Sequence, residues 1–270
     1  MTYFLAVLSS IAYGSADFCG GLATKRGAPL FAVVFVGQLT GLVLVVIALP
    51  FLPPSSPTAI DFAWGALAGL AGGIGVALLY RALSIGVMSV VAPVTAVCSV
   101  IVPLLVGLLL GERPTLLAMI GIALAVLAII LVSQSGEKHA ATGVLTAIAS
   151  GVVIGFFLVF LARSGPSAGL WPLIAARVVS VSVFAVANRS LPSRKSLPVI
   201  IGGGALDMLA NILYVLAVRQ GLLSIVATLT SLYPTSTIIL ARFVLRERLR
   251  AVQIAGVACA GLAIVLIVTG

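Results

Sequence analysis

Charged side chains are scarce in this sequence. Asp, Glu, Lys and Arg make up 8% of the 270 residues, whereas soluble domains carry about 25%. Hydrophobic residues make up 62%, and a soluble fold of this length cannot hide so much apolar surface. An ordinary soluble domain is therefore excluded. The net charge of +9 lies mainly in short connections between apolar segments, so we expect its partner to be membrane lipid and not nucleic acid.

Residues that build disulfides, metal sites and catalytic centres are also rare. The three cysteines lie in different apolar segments without paired spacing, which predicts neither a disulfide framework nor a metal site. The single histidine, His139, lies in a predicted loop, and the apolar segments contain no His-Glu-x-x-His motif and no Ser/His pair. We expect no catalytic residues, no metal, no cofactor and no enzyme activity.

Long apolar segments without period-2 alternation make up most of the chain. In a water-free layer every backbone polar group must pair internally, so a spanning chain forms helices or a closed barrel. Segments of about 20 residues have the length of spanning helices. They predict an all-α membrane protein with ten transmembrane helices, at residues 3–23, 30–52, 61–81, 87–110, 115–133, 141–163, 170–189, 197–218, 222–244 and 250–269.

The sequence repeats itself at an offset of 135 residues. Residues 86–95 align with residues 221–230, and Glu112-Arg113 aligns with Glu247-Arg248. The alignment needs no gap and includes charged, Gly and Ser positions, so shared apolar composition does not explain it. An internal duplication does.

The duplication predicts two five-helix repeats, residues 1–135 and 136–270. Because five is odd, the two repeats would enter the membrane from opposite sides and form an inverted repeat. Halves related in this way enclose a central site that can open to either side, and many transporters are built so. The repeat therefore favours a carrier over an anchor or a membrane enzyme.

Short motifs along the chain carry a family resemblance. The first span reads Tyr13-Gly14-x-x-Asp17-Phe18-x-Gly20-Gly21-Leu22-Ala23, and Gly111-Glu112-Arg113-Pro114 follows the fourth span. With two five-helix repeats, the whole chain resembles the EamA-domain branch of the drug/metabolite transporter superfamily. The resemblance implies a ten-helix basket, often an exporter, whose central cavity is lined largely by the third, fourth, eighth and ninth helices.

We therefore predict a multi-pass secondary active transporter of the cell membrane. It would export a small metabolite, such as an amino acid or a related amphipathic solute, by alternating access. A lipid flippase and an intramembrane enzyme are the alternatives. A channel would need a ring of charges or a selectivity filter, and the sequence contains no such repeat.

Ionisable side chains inside the spans are the first candidates for the site, because facing lipid would cost them several kcal/mol. They are Asp17, Arg177 and Asp207. Neighbours at helical spacing, together with residues beside Pro234, complete the predicted substrate-binding set: Tyr13, Asp17, Arg177, Asp207, Asn211, Tyr214, Thr230 and Tyr233. The alternative is a structural ion pair in which Asp17 or Asp207 neutralises Arg177. A buried carboxylate could also carry a proton, so proton coupling is a further expectation.

Proline and glycine predict local features of the spans. Pro234 should interrupt the ninth helix, and Pro93 and Pro103 should interrupt the fourth. Glycine clusters in the third and eighth spans predict close helix packing, at Gly65, Gly69, Gly72, Gly73, Gly75, Gly202, Gly203 and Gly204. Glu112 and Arg113 are expected to stabilise their own turn.

Two indications of membrane orientation conflict. Outside the spans, eleven Lys and Arg residues lie on odd-numbered connections and three on even-numbered ones. By the positive-inside rule the odd connections are cytoplasmic, which places both termini outside. The family resemblance points to both termini inside. We expect only that the two termini share a side.

Overall fold

The computed structural model describes residues 1–51, 54–86, 88–132, 143–188, 190–244 and 250–269, and within them all regular structure is helical. His139, Glu247 and Arg248 lie outside the described residues. The α-helices are α1 (Thr2–Lys25), α2 (Leu30–Ala48), α3 (Ala59–Ile85), α4 (Met88–Leu109), α5 (Leu116–Val132), α6 (Val144–Ala162), α7 (Trp171–Ala187), α8 (Leu197–Val218), α9 (Leu223–Thr230), α10 (Tyr233–Val244) and α11 (Ala251–Thr269).

Most predicted spans coincide with one helix each, with ends that differ by at most about four residues. Among the described residues, six helices are long and apolar enough to cross a membrane: Thr2–Lys25, Leu30–Phe51, Ala59–Ile85, Val144–Ala162, Leu197–Val218 and Ala251–Thr269. Val94–Leu109, Leu116–Leu131 and Trp171–Ala187 are apolar but shorter.

The ninth predicted span consists of two helices. α9 ends at Thr230, and α10 begins at Tyr233 with Pro234 in its first turn. Proline has no N–H, and its ring clashes with the carbonyl four residues earlier, so α9 cannot continue through this position. The predicted interruption at Pro234 is confirmed.

The predicted interruption of the fourth helix is wrong. α4 is continuous from Met88 to Leu109 and includes both Pro93 and Pro103. Each proline removes one backbone hydrogen bond, and a helix surrounded by neighbours can accommodate that loss without ending.

The helices pack in pairs that the 135-residue offset exchanges. α1 packs on α8, and the counterpart pair, α6 and α3, packs in the same way. Likewise α2 packs on α8 as α7 packs on α3, and α1 packs on α9 and α10 as α6 packs on α4. α5 and α11 are counterparts and pack on each other. The packing is thus preserved when the halves are swapped, as a pseudo-two-fold axis requires.

Polar contacts between the halves follow the same exchange. The Ser9 hydroxyl of α1 donates to the carbonyl of Ala210 in α8, at 2.8 Å. The Ser150 hydroxyl of α6 donates to the carbonyl of Gly75 in α3, also at 2.8 Å. Ala210 and Gly75 are 135 residues apart. Each half therefore ties its first helix to the third helix of the other.

Glycines allow the close approach of these helices. A Cβ atom on Gly69 would lie 2.2 Å from the carbonyl oxygen of Ala176 in α7, and one on Gly204 would lie 2.5 Å from that of Gly37 in α2. The prediction of close packing is confirmed for the glycine clusters of α3 and α8, apart from Gly202, which has nothing within 4 Å.

Candidate functional site

A central cavity lies between the two halves and contains about 590 Å³ of empty volume, counting the part that opens to its surroundings. Its polar lining comes from Tyr13, Asp17, Gln38, Ser99, Arg177, Asp207, Asn211, Thr230, Ser231 and Tyr233. Its apolar lining comes from Gly72, Val76, Leu79, Ile154, Phe157 and Leu158. The lining is broader than the family resemblance implied, because α1, α2, α6 and α7 also reach the centre.

Seven of the eight predicted site residues line this cavity, and Tyr214 is the exception. The Tyr214 side chain is fully buried, and its hydroxyl donates to the carbonyl of Leu158 at 2.8 Å. The stripe predicted along α8 therefore faces the cavity at Asp207 and Asn211 only. Tyr214 instead connects α8 to α6.

Arg177 and Asp207 form an ion pair at the cavity wall. Nη2 of Arg177 lies 2.5 Å from Oδ2 of Asp207, and the two side chains are 6% and 21% exposed. Nη1 of Arg177 donates to Oε1 of Gln38, which also accepts from the Ser180 hydroxyl at 2.9 Å. Both terminal nitrogens of Arg177 are therefore engaged. Of the two predicted partners of Arg177, the structure selects Asp207.

A second set of hydrogen bonds holds the amide of Asn211. The Tyr13 hydroxyl donates to Oδ1 of Asn211 at 2.8 Å, and Nδ2 of Asn211 donates to the carbonyl of Asp207 at 2.7 Å. Tyr13 of α1 is thus linked to the same turn of α8 that carries the ion pair.

The rest of the polar lining has unused hydrogen-bonding capacity. Asp17 makes no hydrogen bond or ion pair with the described residues. The hydroxyls of Thr230 and Tyr233 are buried and without a partner among those residues. Buried polar groups are normally paired, because leaving one unpaired costs about 1–3 kcal/mol. These three groups are consequently candidates for contact with a bound solute.

Sequence reasoning missed Gln38 and Ser180. Gln38 is an amide inside α2, a helix that is otherwise almost entirely apolar, and this contrast was a usable signal. A search restricted to ionisable residues passes over it. Ser180 follows Arg177 by one helical turn, but serine is too common in membrane helices to stand out.

Two further pockets continue the cavity toward the end of the bundle that holds the α1–α2 connection. The first lies among α1, α2, α3 and α8 and shares Gln38, Val76 and Asp207 with the central cavity. The second lies at the helix ends and is lined by Ala23, Arg26, Ser193, Lys195, Ser196 and Val199.

Hydrogen bonds join the two halves at the opposite end, where the termini lie. Oδ1 of Asp61, at the start of α3, accepts from the N–H of Gly165 at 2.6 Å. Arg219, at the end of α8, donates to the carbonyl of Gly169 at 2.6 Å. Both bonds hold the α6–α7 connection against the ends of other helices.

Glu112 closes the same end by capping a helix of the other half. Its carboxylate accepts from the N–H groups of Leu223 at 2.6 Å and Ser224 at 2.9 Å, the first two residues of α9. The expected local role of Glu112 is wrong, because these bonds cross between the halves. The first N–H groups of a helix have no partner within the helix, and a carboxylate there is favourable.

We expect Glu112→Ala to lower the free energy of unfolding by about 1–3 kcal/mol, because two N–H groups of α9 lose their acceptor. Thermal unfolding of the purified protein in detergent measures this loss. Arg113→Ala is the matched control, since Arg113 is adjacent and exposed, and its removal should leave the melting temperature unchanged. Equal stability of the two variants would contradict the capping role.

Two halves exchanged by a pseudo-two-fold axis around a central polar cavity are typical of membrane transporters. The chain belongs to the EamA-like transporter family, whose model matches residues 1–134 and 140–269. This family carries the domain of the drug/metabolite transporter superfamily. Its members are transporters, and with the apolar helices the membership indicates a multi-pass membrane protein.

The fold is also similar to that of a solved crystal structure. The similarity has a TM-score of 0.70 and covers 96% of this chain and 95% of the other, at 13% sequence identity. At that identity it bears on the fold alone. No curated protein matches the chain in sequence.

Proposed function

We propose that this protein is a secondary active transporter of the cell membrane that exports a small amphipathic solute, such as an amino acid or a related compound. The solute would bind in the central cavity and leave by alternating access. Ten transmembrane spans, with α9 and α10 sharing one, would form two inverted five-helix repeats over residues 1–135 and 136–270. Surrounding lipid is the other proposed partner.

The uneven polarity of the cavity is the observation that carries this proposal. Asp207 and Asn211 of α8 have Gly72 and Val76 of α3 at the equivalent positions, 135 residues earlier. All four line the cavity. One wall therefore offers charges and an amide, while the wall related to it by the repeat offers apolar surface. An amphipathic solute matches both walls at once.

Alternating access is supported by the relation between the two ends of the bundle. Glu112, Asp61 and Arg219 tie the halves together at one end, and the further pockets lie toward the other. Swapping the conformations of two pseudo-symmetric halves would close the second end and open the first. The break between α9 and α10 borders the cavity at Thr230 and Tyr233, a position suited to a helix that bends during this change.

Flux into proteoliposomes tests the proposal. Purified protein should carry at least one labelled small solute from a panel of amino acids and related amphipathic compounds, with saturation at high concentration. If a proton is coupled, an imposed pH gradient should change the rate. Absence of flux for every small solute, together with lipid scrambling or chemical turnover, would replace the carrier by a flippase or an enzyme.

A further inference from the structure

We propose that the solute is an organic cation, a primary or secondary amine with an apolar body, whose charge pairs with Asp17. This inference rests on the proposed transport function and narrows its solute. It comes from the balance of charges and hydrogen bonds in the central cavity.

The positive charge in the cavity is already compensated. Arg177 uses one terminal nitrogen for Asp207, at 2.5 Å, and the other for Gln38. A guanidinium recognises a carboxylate best through two parallel N–H bonds, and here those donors are occupied. Arg177 is therefore a poor receptor for the carboxylate of a solute.

The negative charge of Asp17 has no counterpart in the cavity. Among the described residues that line it, the ionised groups are Asp17, Asp207 and Arg177, and the last two pair with each other. The next basic residue along α1 is Lys25, eight residues or about 12 Å further on. With its carboxylates ionised, the cavity carries one uncompensated negative charge. A monocationic solute neutralises it.

Hydroxyl acceptors lie across from the turn that carries Asp17. α1 contacts α10 so closely that a Cβ atom on Gly14 would lie 2.3 Å from the carbonyl oxygen of Tyr233. Thr230 and Tyr233 line the cavity, and their buried hydroxyls are unpartnered among the described residues. An ammonium group has two or three N–H donors, so a carboxylate with two hydroxyl oxygens satisfies it.

The same groups disfavour a zwitterion or an anion. A carboxylate entering the cavity would add negative charge beside Asp17 and Asp207, and like charges close together are unfavourable in a site of low dielectric constant. The apolar body of an amine has a surface of its own, formed by Ile154, Phe157 and Leu158 of α6.

Four compounds with one aromatic body test the proposal: 2-phenylethylamine, phenylalanine, 3-phenylpropionate and 3-phenylpropan-1-ol. They differ mainly in charge, which is positive, zwitterionic, negative and absent. Binding to the purified full-length protein is measured by calorimetry, and flux is measured in proteoliposomes. We expect the amine to bind at least about tenfold more tightly than the other three, the effect of one hydrogen-bonded charge pair.

Two variants separate recognition by Asp17 from general damage. Asp17→Asn should remove the preference for the amine over the alcohol, and Asp17→Glu should retain most of it. Ser182→Ala is the matched control, since Ser182 lies on the exposed side of α7 and bonds only the carbonyl of Val178. That variant should keep the preference unchanged.

Preferred binding and flux of the zwitterion or the anion would overturn the cation assignment while leaving the transport function intact. An Asp17→Asn variant that keeps the amine preference would also overturn it. If none of the four compounds binds and no solute is carried in the broader panel, both the assignment and the proposed function fail.

Discussion

Asp207→Asn is expected to reduce flux by more than about tenfold and also to destabilise the fold. The substitution removes the charge that pairs with Arg177 across 2.5 Å. Removing one partner of a buried pair typically costs about 3–5 kcal/mol, because the other charge remains buried without compensation. The asparagine oxygen still accepts one hydrogen bond, so we expect the cost to lie toward the lower end of that range. Thermal unfolding in detergent and proteoliposome flux measure the two effects.

The double variant Asp207→Asn, Arg177→Gln separates stability from transport. With both charges removed, the amides can hydrogen-bond to each other and to Gln38, and stability should return to near that of the parent. Flux should stay low, because the shape and polarity of the cavity wall have changed. Restored flux in the double variant would mean that the pair is purely structural. Normal flux in Asp207→Asn alone would remove Asp207 from the site.

From sequence alone, the same substitution would be expected to impair transport without harming the fold. The difference arises from the partner of Asp207. Spacing places Asp207 and Asn211 on one face of α8, but it cannot tell which side chain of another helix faces them. Arg177 lies 30 residues away on α7, and only packing brings the two within hydrogen-bonding distance.

The helices and the repeat were predictable because their signals are local or periodic. Apolar length gives the spans, and the 135-residue offset identifies which helices are counterparts. The offset carries α4 onto residues 223–244, the range of α9 and α10 together, so the break at Pro234 is a departure of one half from the other. α4 tolerates Pro93 and Pro103, which shows that proline alone does not decide where a helix ends.

The site was predictable in part, for a physical reason. A charged group inside an apolar span must find a partner or a cavity, so Asp17, Arg177 and Asp207 stand out by composition. Neutral groups carry a weaker penalty and a weaker signal, and Gln38 and Ser180 were missed. Glu112 was recognised as a feature of a turn, but its acceptor role depends on the approach of α9 from the other half.

The repeat also predicts paired effects of glycine substitution. Gly69 and Gly204 are counterparts at the 135-residue offset, and each abuts a carbonyl oxygen in the second helix of the other half. A Cβ atom would lie 2.2 Å from that oxygen at Gly69 and 2.5 Å at Gly204. Backbone cannot move aside as a side chain can, so we expect Gly69→Ala and Gly204→Ala each to cost at least the roughly 1–3 kcal/mol typical of overpacking. Thermal unfolding and the yield of monodisperse protein measure the loss.

Two neighbouring glycines provide the matched controls. Gly202 lies in the same helix as Gly204 and has nothing within 4 Å, so Gly202→Ala should be neutral or stabilising by up to about 1 kcal/mol, the helix preference of alanine over glycine. Gly37 faces Gly204, but its own Cβ would lie 3.9 Å from the nearest atom, and Gly37→Ala should be tolerated. Because alanine favours the helix at every one of these positions, a loss at Gly69 and Gly204 alone must come from the contact between helices. Equal stability of all four variants would contradict the close approach of α3 to α7 and of α8 to α2.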